Sequence, residues 1–149
     1  MIDLLKEKDL KLSLAESLTG GMIAQRIVNV SGASEVFGYG FVTYSNKAKH
    51  KCLGVKKRTL KEQGAVSAKC AREMAKGACK ASGADISISV TGLAGPGGGT
   101  KETPVGTVFM GCCYKARPLP KSSTSQETAC ESASRLQRMH WRCYVTVSL

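Results

Sequence analysis

The sequence predicts an α/β protein: a mostly parallel sheet covered on both faces by helices. Three observations carry this. Short apolar stretches of strand length alternate along the chain with longer stretches at helical spacing. The first such strand runs into Gly20-Gly21 and then directly into a helical pattern, the order expected of a parallel crossover unit. The chain has 149 residues, 42% of them hydrophobic, enough to bury one core.

The elements follow in order. Ile2 to Lys8 reads as a short amphipathic helix, and Lys11 to Ala15 as a strand through Leu12 and Leu14. Met22 to Asn29 carries Ile23 and Ile27 at helical spacing. After the loop Ser31-Gly32-Ala33-Ser34, Phe37 to Thr43 is a second strand. Ser45 is an N-cap for a helix over Lys47 to Leu53, closed by Gly54. Thr59 and Glu62 have capping-box spacing for one more helical turn. Ser67 caps the longest helix, Ala68 to Ser82, whose apolar stripe is Ala71, Met74, Ala75, Ala78 and Cys79, and Gly83 ends it. Asp85 to Thr91 is a third strand, and Pro104 to Tyr114 a fourth, apolar enough to be central. Composition changes after Tyr114, dividing the chain into 1–114 and an atypical tail, 115–149, with Pro118, Pro120 and a Ser/Thr-rich run. Proline and serine disfavour an early helix there, so mobility is expected up to about residue 134.

The net charge is +11. It raises the question of a nucleic-acid partner. Aromatic residues make up only 5% and are not interleaved with the basic ones, which argues against a base-stacking surface. An anionic small substrate such as a nucleotide phosphate would equally favour a positive surface. The seven cysteines show no C-x-x-C spacing and no accompanying His pair, so no metal site is expected. No apolar run of membrane length follows Met1, and a reduced, cytoplasmic setting is the expectation.

Three segments hold candidate chemistry. In Ala15-Glu16-Ser17-Leu18-Thr19-Gly20-Gly21 a serine leaves a strand end and enters a glycine turn before a helix. Backbone N–H groups there can hold an oxyanion or a phosphate, although Ser17 or Thr19 can equally be a simple cap. In Thr43 to Lys49, Tyr44 at a strand end and Lys49 one turn into the next helix could converge on one point. A serine needs a base, and a lysine serves if burial lowers its pKa. The alternative is that Lys47, Lys49 and Lys51 are solvated surface residues. The glycine-rich loop Thr91 to Thr100 could wrap a nucleotide or be only a connection; it is neither a G-x-G-x-x-G nor a Walker motif.

Together, the stretches AESLTGG (15–21), FVTYSNKAK (41–49), LGV (53–55), GAVS (64–67), TGLAGPGGG (91–99) and PVGTV (104–108) resemble the C-terminal domain of CinA, the nicotinamide-nucleotide amidohydrolase family, over residues 1 to about 114. The resemblance implies a three-layer α/β/α sandwich. It implies hydrolysis of the amide of nicotinamide mononucleotide to nicotinate mononucleotide and ammonia, without metal or other cofactor. It implies Ser17 as nucleophile, Lys49 as base and Tyr44 as an assisting hydroxyl. Thr19, Gly20 and Gly21 would lie at the oxyanion or substrate site, Thr91 and Gly92 would border the nucleotide, and a homodimer is implied.

Two departures stand out. Leu18 occupies a position where the family usually has Cys, and 115–149 lacks the family's Gly-Asp-Arg stretch and closing helix. Two other readings therefore stand beside the amidase: a CinA-like binding protein that lost turnover through its tail, and a DNA-associated competence factor suggested by the charge.

Overall fold

The computed structural model describes residues 1–101 and 103–115. The expectations for the tail beyond Lys115 fall outside the described residues.

Four strands form one sheet: β1 (Leu12–Glu16), β2 (Phe37–Val42), β3 (Ile86–Gly92) and β4 (Val108–Tyr114), in spatial order β2-β1-β3-β4. β1 pairs parallel with both β2 and β3, and β4 pairs antiparallel with β3. The sheet is thus mixed and mostly parallel. β4 is not central, as its apolar content suggested. It is an edge strand among the described residues, and it starts at Val108 rather than Pro104. The preceding segment makes a turn instead, with Gly106 N–H bonded to the Leu93 carbonyl.

Helices cover both faces. On one side α1 (Ile2–Glu7) and α2 (Met22–Val28) bury Ile2, Leu5 and Ile27 against Leu12 and Leu14 of β1. On the other, α3 (Asn46–Leu53) and α5 (Ala68–Ser82) bury Leu53, Cys70, Met74 and Ala78 with Ala15. The two-residue period of β1 sends alternate side chains into the two cores. Each large apolar side chain so buried contributes about 1.5–3 kcal/mol.

Local chemistry places the helices. Ser45 Oγ accepts from Ala48 N–H at 3.1 Å, and Ser67 Oγ from Cys70 N–H at 3.2 Å. Gly54 and Gly83 end α3 and α5 in the left-handed conformation. The expected Thr59 cap is not one. Thr59 lies inside α4 (Lys57–Glu62), and its hydroxyl donates to Glu73 of α5 at 2.8 Å. Glu73 also accepts from Lys56 N–H, so α4 is capped from another helix. At Gly77 the backbones of α5 and α3 come so close that a Cβ would overlap the Leu53 carbonyl. That contact seats α3, and α3 carries Lys49.

Candidate active site

The connection leaving β1 runs toward β2, while that leaving β3 runs toward β4. The carboxyl ends of β1 and β3 therefore flank the switch point where open α/β sheets hold ligands. Ser17 follows β1 at this point. Its N–H is tied to the Val90 carbonyl of β3 at 3.1 Å, and it is only 7% exposed.

Lys49 reaches the same point from α3. Its Nζ donates to Ser17 Oγ at 2.9 Å and to the Thr43 carbonyl at 2.8 Å. The side chain is 1% exposed, whereas Lys47 and Lys51 are exposed. Of the two readings for this lysine cluster, Lys49 takes the buried one. Burial lowers its pKa from the ordinary lysine value, and Cys70 acts in the opposite direction to a smaller extent. A neutral amine can keep its bond to the Thr43 carbonyl while accepting the Ser17 proton, so the geometry suits a base.

The turn after Ser17 is built differently from expectation. Gly20 N–H donates to the Ser17 carbonyl and Gly21 N–H to the Glu16 carboxylate, so these two amides are committed to the turn itself. Gly20 and Gly21 serve through their left-handed backbone, φ +58 and +107, which other residues rarely adopt. Among the described residues, the amides of Leu18 and Thr19 make no hydrogen bond, and these are the ones left for an oxyanion. The Thr19 hydroxyl is itself bonded to Glu16 at 2.6 Å.

Thr91 is buried, and its hydroxyl donates to the Ala65 carbonyl at 2.8 Å, which leaves it anchoring the loop. Gly92 pairs with Val108 at the end of β3, packed so tightly against the Thr107 carbonyl that a Cβ would not fit. Residues 94–100 beyond are exposed. Tyr44 is not brought to the Ser17–Lys49 pair: it is 73% exposed and makes no hydrogen bond among the described residues. Sequence reasoning missed Glu16, which is 2% exposed and gathers four donors. The available signal was a carboxylate ending an otherwise apolar strand, one turn before a helix with no acidic residue in its first turn.

Among the described residues no helix is long and apolar enough to cross a membrane. Comparison with known proteins gives a consistent picture. A competence-damage inducible protein of Clostridium perfringens is 61% identical over 110 residues, 74% of this chain and 27% of that protein. One of Caldicellulosiruptor bescii is 57% identical over 115 residues, 77% of this chain and 28% of the relative. The chain thus spans little more than a quarter of the length of these curated relatives. The crystal structure of the competence/damage inducible protein CihA from Agrobacterium tumefaciens superposes with a TM-score of 0.75 at 46% identity, covering 76% of this chain and 68% of that one. The family model of the CinA C-terminal domain matches residues 1–140, past the Tyr114 limit of the quoted motifs. With its fold, its motifs and its relatives in agreement, the chain belongs to the CinA C-terminal domain family.

Proposed function

We propose that this domain hydrolyses the amide of nicotinamide mononucleotide to nicotinate mononucleotide and ammonia through a Ser17 acyl-enzyme. The observation that supports the reaction class is the buried Lys49 Nζ at 2.9 Å from Ser17 Oγ. Family membership supports the substrate.

The steps use groups already placed. Neutral Lys49 takes the Ser17 proton as Oγ attacks the amide carbon. The oxyanion faces the Leu18 and Thr19 amides. The proton on Lys49 then passes to the departing nitrogen, which leaves as ammonia. Water, deprotonated by the same amine, splits the ester to give the carboxylate and free Ser17. Tyr44 makes no contact with the pair and is 73% exposed, so in this reading its hydroxyl assists the leaving nitrogen only once substrate is bound. The domain acts on a small nucleotide as a cytoplasmic homodimer.

The test is ammonia release from nicotinamide mononucleotide by the purified chain. Release that vanishes in Ser17→Ala supports the proposal. Binding of the nucleotide without release would favour a domain that keeps the fold without turnover. Salt-sensitive DNA binding without release would favour the competence-factor reading.

A further inference from the structure

We propose that Glu16 is the positioning residue of this site, holding nucleophile and base in register without touching substrate; the inference rests on the hydrolase reading above. Glu16 ends β1, and its side chain and main chain serve different arms of the site. Oε2 accepts from Thr19 Oγ1 at 2.6 Å, Gly21 N–H at 3.1 Å and Ile23 N–H at 3.1 Å, and Oε1 accepts from Ala24 N–H at 2.8 Å. These bonds close residues 16 to 24 into a loop with Ser17 inside it. The main-chain carbonyl of Glu16 accepts from Thr43 N–H at 2.8 Å, and the Thr43 carbonyl in turn holds Lys49 Nζ at 2.8 Å. One residue thus ties the serine's turn and the lysine's anchor to the same strand end.

A helix start alone does not require this arrangement, since a Ser or Asp at the cap position would satisfy its first amides. Here the cap position is Gly21, and no side chain caps from it. The capping group comes instead from the residue immediately before the nucleophile. Removing the carboxylate would strand several donors in a part-buried turn and free Ser17 to drift from Lys49.

The experiment compares Glu16→Gln with the parent chain and with Glu73→Gln, which removes a carboxylate that caps α4 and bonds neither Ser17 nor Lys49. Glutamine keeps the shape but turns an NH2 group toward the donors. The readouts are the melting temperature, the rate of Ser17 labelling by a serine-directed organophosphonate, and kcat and KM for ammonia release. Glu16→Gln is expected to lower labelling and kcat by roughly 10- to 100-fold, the scale of a misplacement of about 1 Å. KM should stay within about twofold, because substrate contacts are untouched. The pH midpoint of labelling should not move, because the burial of Lys49 is unchanged. Glu73→Gln should lose stability without that loss of labelling. Thr19→Val, which removes one of the four donors, should give a smaller drop of the same kind and serves if Glu16→Gln does not fold. Parental labelling in Glu16→Gln and Thr19→Val, or a loss no greater than that of Glu73→Gln, overturns the proposal. If the parent labels but releases no ammonia, the substrate assignment falls while the labelling comparison still decides the role of Glu16. A parent that does neither overturns both.

Discussion

Ser17 and Lys49, 32 residues apart in sequence, meet at 2.9 Å between the end of β1 and the first turns of α3. Lys49 is 1% exposed, and among the described residues its amine bonds the serine hydroxyl and the Thr43 carbonyl, with Cys70 near enough to act on it electrostatically. That environment, more than the residue types, makes the pair a candidate for chemistry.

Replacing either member should be severe. Ser17→Ala is expected to reduce ammonia release by about 10³-fold or more with the fold retained, and Lys49→Ala nearly as much. Lys47→Ala, on the exposed side of α3, should stay close to parental activity. Equal losses at Lys47 and Lys49 would indicate a general effect of charge in place of a specific base.

The rate should rise with pH. Lys49 accepts a proton only when neutral, and burial lowers its pKa from 10.5. The ascending limb of kcat/KM should therefore have its midpoint below 10.5, and a flat profile or a midpoint at or above the ordinary lysine value would contradict the assignment.

The same group should leave a mark on stability. With the folded pKa depressed, the unfolded chain binds more protons at Lys49 between the two pKa values. The cost of burying the amine is thus largest below the folded pKa and disappears above the unfolded value. Lys49→Met should lessen the rise of stability with pH across that window, as read by denaturant unfolding. Its absolute stability also carries a penalty of about 1–3 kcal/mol for unpaired partners, so the pH slope is the informative quantity.

Gly77→Ala sets two effects against each other. Alanine favours a helix by about 1 kcal/mol over glycine. Its Cβ would overlap the Leu53 carbonyl of α3, and overpacking of this kind costs about 1–3 kcal/mol or more when the obstacle is backbone. Net destabilisation is expected, with a melting point lower by several degrees and reduced labelling of Ser17 as α3 shifts. A melting point at or above the parent would show that the two helices separate freely.

Tyr44→Phe should leave stability within about 0.5 kcal/mol, as suits an exposed side chain. If the hydroxyl assists proton transfer to the leaving nitrogen, kcat should drop by about 10²-fold. Unchanged kcat would remove Tyr44 from the mechanism.

Helix limits were legible wherever a cap is local. Ser45, Gly54, Ser67 and Gly83 act within a few residues of themselves, and the structure uses all four as the sequence implies. Thr59 was misread because its partner Glu73 lies 14 residues away, on a helix whose position only the fold reveals. β4 lies at the edge among the described residues although its composition suggested the centre, because an apolar edge strand can have the same composition as a central one. The Ser17 turn was visible from its glycines, but the allocation of its amides was not. That depends on Glu16, whose side chain looks like any solvated carboxylate until four donors are seen to converge on it. Lys49 carried one usable hint, since it shares a helix face with buried Leu53 four residues on while Lys47 and Lys51 do not.

The backbone bond from Ser17 to Val90 extends the β1–β3 ladder to the nucleophile itself. A catalytic serine on a detachable loop would exchange its amide proton through local openings and could lose activity well before the protein unfolds. Here the Ser17 amide extends the β1–β3 ladder and the Thr43 amide, bonded to the Glu16 carbonyl, extends the β1–β2 ladder, so exchange at either requires the sheet to part at β1. Their exchange should be governed by global unfolding, and denaturant should extinguish reactivity at the concentration that melts the sheet.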